Sequence, residues 1–145
     1  MTVLDFGCGP GFFTVEIAKL VNKSGKVIAA DLQQGMLDKL GQKIKRTGLK
    51  EMICLHKCPD ESIGIHEKVD FILAFYVIHE VPDKDRLFRE MISILKPEGT
   101  ILIIEPKFHV TKKTFDQMAD EIKDLGLTIT GKPKVFFSRS ILLKK

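Results

Sequence analysis

Near the amino terminus an apolar run closed by an acid meets three glycines at every second position. The stretch reads "TVLDFGCGPGFFTVEIAKL", with Asp5 just ahead of Gly7, Gly9 and Gly11 and a helical pattern directly behind. Glycine accepts left-handed backbone and lets other groups approach the main chain closely. A strand, a glycine turn and a helix in immediate succession therefore point to a sheet whose strands feed crossover helices. The rest of the chain repeats that alternation. "VLDF", "VIAAD", "MICLH", "VDFILAF" and "TILIIE" are short and almost continuously apolar, as strands buried on both faces of a parallel sheet must be. Between them lie helical stripes: Phe13, Ile17, Leu20 and Val21; Met36, Leu37, Leu40 and Ile44; Leu87, Phe88, Met91, Ile92 and Leu95; and Phe115, Met118, Ala119, Ile122 and Leu125. Gly48 and Gly126 suit left-handed helix ends, Asp83 suits an N-cap, and "KPEG" reads as a helix stop. The closing "LTITGKPKVFF" and "SILLKK" read as a hairpin with a short polar turn. Together these predict one domain over residues 1–145, a three-layer, Rossmann-like doubly wound α/β sheet with an antiparallel edge.

Composition narrows the function classes. Hydrophobic content of 44% and charged content of 29% describe a chain that can bury a core. Runs such as "FILAFYVI" stop well short of the roughly 20 apolar residues of a membrane helix. The net charge of +4 is mild and spread along the sequence, so no nucleic-acid partner is expected. Three cysteines make no disulfide framework. Cys54 and Cys58 lack a second Cys/His pair, so no metal is expected, and a reducing cytoplasm is the natural compartment.

In a doubly wound sheet, ligands bind at the carboxyl ends of the strands beside the first strand, where the glycine loop falls. The opening helix would also direct its free N–H groups and positive dipole end into that space. Two familiar phosphate-binding loops do not fit. A dinucleotide turn needs G-x-G-x-x-G, but Phe12 or Thr14 occupies the third glycine position, depending on the start. A P-loop needs a Gly-Lys-Ser/Thr that is absent. An acid ahead of the loop would repel phosphates and suit a ligand bearing an ammonium and a sulfonium. Asp31, closing "KVIAAD", is placed to accept both hydroxyls of a ribose; alone it would serve NAD, as in an NAD-dependent oxidoreductase, equally well, and the glycine spacing is what discriminates.

The pattern D-x-G-x-G-x-G resembles motif I of the class I S-adenosylmethionine-dependent methyltransferases. With "VIAADLQQGML", "VDFILAFYVIHEVPDKDRLFREMISILKPEGTILIIEP" and the hairpin, the whole chain resembles their UbiE-like (methyltransferase-11-like) branch. That resemblance implies a seven-stranded sheet of order 3-2-1-4-5-7-6 with strand 7 antiparallel, and S-adenosyl-L-methionine as cofactor, leaving S-adenosyl-L-homocysteine as product. Carried over by position, Asp5, Gly7, Cys8, Gly9 and Gly11 would line the methionine portion, with Thr14 near the helix start. Asp31 would hold the ribose and Leu32 would pack on adenine. Cys58 and Pro59 would stand where the family often carries an acid-Ala pair, the acid being displaced to Asp60. Phe75 would flank the sulfonium. The family's usual helices before the first strand have no counterpart here, so a lid is expected from a preceding segment or from a partner, a second copy included.

Methyl transfer from a sulfonium is an in-line displacement in which the protein mainly supplies position and a dry cavity. A base is needed only where the acceptor must lose a proton. His79 and Tyr76, in "FYVIHEVPD", are the candidate catalytic residues; Glu80, Glu105 and His109 stand behind them. The absence of an Asn/Asp-Pro-Pro-Tyr/Phe turn after the fourth strand disfavours amino-methylation of adenine or glutamine, which leaves a small organic acceptor. The competing reading is a module that holds the cofactor or its demethylated product without turnover.

Overall fold

The computed structural model describes residues 1–145. Its strands are β1 (Thr2–Phe6), β2 (Lys26–Asp31), β3 (Ile53–Lys57), β4 (Val69–Phe75), β5 (Leu95–Pro106), β6 (Thr128–Gly131) and β7 (Ser138–Lys144). The helices are α1 (Thr14–Leu20), α2 (Gln34–Ile44), α3 (Lys84–Ile94) and α4 (Lys112–Asp124). All seven strands form one sheet in the order β3-β2-β1-β4-β5-β7-β6. The first five pair in parallel, and β7 runs antiparallel to both β5 and β6. This is the expected topology, with β1 and β4 side by side at the centre. No helix is long and apolar enough to cross a membrane.

Alternation along each strand sorts side chains to the two faces. Leu4, Phe6, Ile28, Ala30, Ile72 and Ala74 pack beneath α3 and α4 in the larger core. Val27, Ala29 and Ile53 pack with Val15 and Ala18 of α1 and Leu37, Leu40 and Ile44 of α2 in the smaller one. Asp83 caps α3, its Oδ1 accepting from Arg86 N at 3.0 Å, as its sequence position predicts.

Several local expectations are corrected. The buried face of α1 is Thr14, Val15 and Ala18, whereas Leu20 is 85% exposed and Phe13, ahead of the helix, packs on Phe75 and stays partly exposed. Small side chains at Thr14 and Ala18 let this short helix lie close on the sheet, leaving no room for larger ones. Leu95 ends α3 and opens β5, and "KPEG" lies inside that strand as a bulge. Register jumps there from Val69↔Leu95 to Phe71↔Thr100. Pro97 has no N–H to pair and Glu98 sits at φ 65°, so the ladder breaks at this point. β3 is an edge strand with Cys54 and Leu55 exposed, not one buried on both faces. The hairpin turn is also longer than expected, since residues 132–137 lie between β6 and β7 and carry Phe136 and Phe137 into solvent.

Candidate functional site

The chain reversal after β1 is held by backbone bonds. Gly7 N and Cys8 N both donate to Ala30 O, at 2.8 and 3.0 Å, and Gly11 N donates to Cys8 O at 3.1 Å. All three glycines have positive φ, at 71°, 55° and 88°. Their reasons for lacking a side chain differ. A Cβ on Gly7 would stand 2.5 Å from Val77 Cγ2, and one on Gly11 would overlap Leu40, so both are needed for packing. A Cβ on Gly9 would meet nothing within 4 Å. Gly9 alone leaves a gap that the protein does not fill.

That gap opens on a cavity of about 450 Å³ at the carboxyl ends of β1, β2 and β4. Gly7, Gly9, Asp31, Leu32, Cys58, Pro59 and Tyr76 all line it. Asp31 is already engaged. Its Oδ2 accepts from Gly9 N at 2.9 Å and its Oδ1 from Gln33 N at 2.8 Å, tying the loop after β1 to the loop after β2. An ionised carboxylate has about four acceptor positions, so two remain for a ligand. Cys58 is fixed by its N–H to Asp31 O at 2.9 Å, and burial pushes its thiol up to about 11.

The remaining sequence candidates lie outside this cavity. Asp5 is buried on the α1 side of β1, its Oδ2 accepting from Thr14 Oγ1 at 2.6 Å. Burial first, and Asp31 as a lesser cause, raise its carboxyl to about 6 against the Thr14 bond. Thr14 and Cys8 are likewise buried, and burial drives the Cys8 thiol strongly up. Because α1 opens at the enclosed Thr14, its first turn does not face the cavity as the sequence suggested. Phe75 lies between Phe13 (ring centroids 4.5 Å apart) and Tyr76 (4.1 Å, stacked), forming an aromatic row behind the wall.

The two catalytic candidates separate. Tyr76 lines the cavity in a left-handed conformation, φ 55°, which a non-glycine residue holds only at a cost of roughly 1–3 kcal/mol. Its hydroxyl lies 2.6 Å from Ser138 Oγ. Ser138 spends its single proton on Phe136 O at 3.0 Å, so the Tyr76 O–H is the donor of that pair and the Tyr76 oxygen keeps its capacity to accept. His79 lines a second, smaller cavity against α4. Its Nδ1 is 2.6 Å from Oε2 of the buried Glu105, which also accepts from Ile78 N and His79 N at 3.0 and 3.2 Å. A carboxylate already taking two N–H groups makes Nδ1 the protonated nitrogen, leaving Nε2 free, 4.0 Å from Glu80 Oε1.

Sequence reasoning missed most of the far wall. Glu61 and Ser62 come from the segment after β3, Val81 and Pro82 from the turn before α3 beside the sequence candidate Glu80, and Leu87 and Glu90 from α3 itself. Glu90 Oε2 accepts from Ile63 N at 2.6 Å and Ser62 Oγ at 3.2 Å, pinning that segment to α3. The consequence is electrostatic. Asp31, Glu61, Glu80, Asp83 and Glu90 line the cavity and no Lys, Arg or His does, in a chain whose net charge is +4.

A family model described as "Methyltransferase domain" matches residues 1–134. A demethylmenaquinone methyltransferase of Lactobacillus johnsonii is 34% identical over 103 residues, 70% of this chain and 42% of that protein. The ubiquinone/menaquinone biosynthesis C-methyltransferase UbiE of Cronobacter sakazakii is 30% identical over 118 residues, 79% of this chain and 47% of its own length. The chain thus spans less than half of these curated relatives. Among solved structures, a SAM dependent methyltransferase from Aquifex aeolicus superposes with a TM-score of 0.88 at 26% identity, covering 99% of this chain and 81% of that one. Family and fold together imply S-adenosylmethionine use. The chain belongs to the methyltransferase-domain family, in its class I, UbiE-like branch.

Proposed function

We propose that the cavity binds S-adenosylmethionine and that the chain transfers its methyl group to a small organic acceptor of hydroquinone type. The observation that carries this reading is the acidic wall: of five lining carboxylates only Glu61 and Glu90 are paired with a permanent cation, Arg86 outside the lining, so the excess negative charge repels a pyrophosphate and attracts a ligand bearing an ammonium and a sulfonium. It disfavours a nicotinamide dinucleotide on charge, as the glycine spacing does on shape. Gly9 supports the fit, because its uncovered backbone leaves ligand-sized space beside Asp31. When bound, the cofactor supplies an activated methyl group on a positively charged sulfur.

The chain's own residues then have separable tasks. Asp31 holds the two loops at a fixed spacing and offers its remaining lone pairs to sugar hydroxyls. Leu32, Cys58 and Pro59 give the apolar wall for a base. Tyr76, its proton committed to Ser138, accepts a hydrogen bond from an acceptor hydroxyl and so orients the ring. Glu80 reaches the cavity, and no side chain or N–H hydrogen-bonds its carboxylate, which suits it to take the proton the acceptor loses; His79 Nε2 stands behind it. Glu80 is thus the base in this scheme, and His79, held by Glu105, takes no direct part in the transfer. The names of the relatives, which concern quinone methylation, support the acceptor class. Titration calorimetry should show binding of S-adenosylhomocysteine and S-adenosylmethionine but not of NAD, with radiolabelled methyl transfer to a soluble hydroquinone. Binding of NAD in place of both would refute the assignment.

A further inference from the structure

Two segments outside the cavity share a composition that methyl transfer does not use. Residues 106–115, "PKFHVTKKTF", and residues 130–139, "TGKPKVFFSR", together hold Lys107, Lys112, Lys113, Lys132, Lys134 and Arg139 and no acid, so they carry more positive charge than the chain's net +4. The fold brings them together. Lys107 N donates to Phe137 O at 3.0 Å, and Arg139 Nε donates to Val110 O at 3.0 Å. On this joint surface Phe108 is 72% exposed, Phe136 83% and Phe137 64%. Phe136 and Phe137 lean together with ring centroids 4.1 Å apart, and Phe108 leans on His109 at 4.8 Å. Phenylalanine has no polar tip to satisfy in water, and clustered exposed apolar side chains rimmed by one sign of charge mark an interaction surface.

From this we infer that the paired 106–115 and 130–139 segments dock on an anionic lipid surface, the phenylalanines entering the headgroup boundary and the lysines meeting lipid phosphates. Both halves of the surface fit that partner: apolar rings to bury and a basic rim in which only Lys112 is ion-paired, to Asp116 of α4 beside the two segments. The surface adjoins the catalytic cavity through an unbroken chain of contacts, from Tyr76 hydroxyl to Ser138 Oγ and from Ser138 Oγ to Phe136 O. Docking there turns the Tyr76 side of the cavity toward lipid. Docking does not depend on methyl transfer, and its test needs none.

The test is cosedimentation of the chain with vesicles of equal parts phosphatidylglycerol and phosphatidylcholine, against vesicles of phosphatidylcholine alone. Binding is expected to the anionic vesicles and to weaken steeply as salt shortens the Debye length toward about 3 Å. Each basic charge near an anionic surface contributes about fivefold in partitioning, so K132E/K134E, a change of four charges, is expected to lower it at least about a hundredfold. F108S/F136S is expected to lower it about tenfold or more. All four positions are exposed, and unchanged thermal melting shows that the variants fold. Three results overturn the inference: full binding by F108S/F136S, which makes the attraction charge alone; tighter binding to a single-stranded RNA oligonucleotide than to vesicles; or no binding to the anionic vesicles, whether or not light scattering shows a dimer that F108S/F136S disperses.

Discussion

Gly9 and Gly48 form a matched pair that separates a ligand cradle from a simple turn. Both hold left-handed backbone, φ 55° and 69°, and an added Cβ at either meets nothing within 4 Å. Gly48 lies exposed after α2, whereas Gly9 lines the cavity. Gly→Ala at each should therefore destabilise the ligand-free fold to the same small extent, about 1–2 kcal/mol, the cost of placing alanine in left-handed space. Steric overlap with neighbouring protein adds nothing at either site. In the presence of S-adenosylhomocysteine the two must part. At Gly9 the new methyl enters the ligand's volume, and overpacking of that kind costs about 1–3 kcal/mol, which weakens binding about 5- to 150-fold. At Gly48 affinity should stay within about twofold of the parent. Urea unfolding gives the first quantity and titration calorimetry the second. If Gly9→Ala binds as tightly as the parent, or Gly48→Ala loses as much, Gly9 does not face the ligand and the cradle is misassigned.

Asp5 makes the ligand-free fold pH-sensitive in an unusual direction for an aspartate. Its carboxyl is raised from 3.8 to about 6, so the fold favours the protonated form. The stability this group contributes is fully present below about pH 4 and is lost as pH rises through about 6, a loss of about 3 kcal/mol. Asp5→Asn should remove that loss, leaving the variant more stable than the parent at pH 8 and equal to it at pH 4; identical melting temperatures at pH 8 would contradict the reading. Glu105 receives three N–H groups from Ile78 and His79 while 1% exposed, so Glu105→Ala should lower stability in urea by about 3–5 kcal/mol, and Glu105→Gln by less. A loss below about 1 kcal/mol for Glu105→Ala would show that water replaces the carboxylate.

The alternation of strands and helices and the two loops after β1 and β2 were readable because each is written locally, whereas the order of the strands followed only from the family resemblance. An apolar run, three alternating glycines and a terminal Asp31 fall within neighbouring residues, and a parallel sheet leaves few ways to connect them. The acidity of the cavity was not readable, because Glu61, Asp83 and Glu90 come from segments that meet Asp31 only once α3 has packed. His79 illustrates a second limit. Its place after β4 suggests the reacting centre, yet the Ile78–Glu80 turn rotates it onto Glu105 and the neighbouring cavity. Leu20 illustrates a third: periodicity marks it as core, but α1 ends before any layer covers it. Glu90 looks like an ordinary exposed helical acid until Ile63 N is found against it.

The two bonds that Asp31 already makes bear on how association would proceed. A side chain clamped by Gly9 N and Gln33 N has surrendered its rotational freedom during folding, and the loops it joins have surrendered theirs. A nucleoside arriving there finds its acceptor atoms standing still, so little disorder remains to be frozen out at the moment of contact. Capture should resemble a key meeting a cut lock, with discrimination between ligands expressed in how long each one stays.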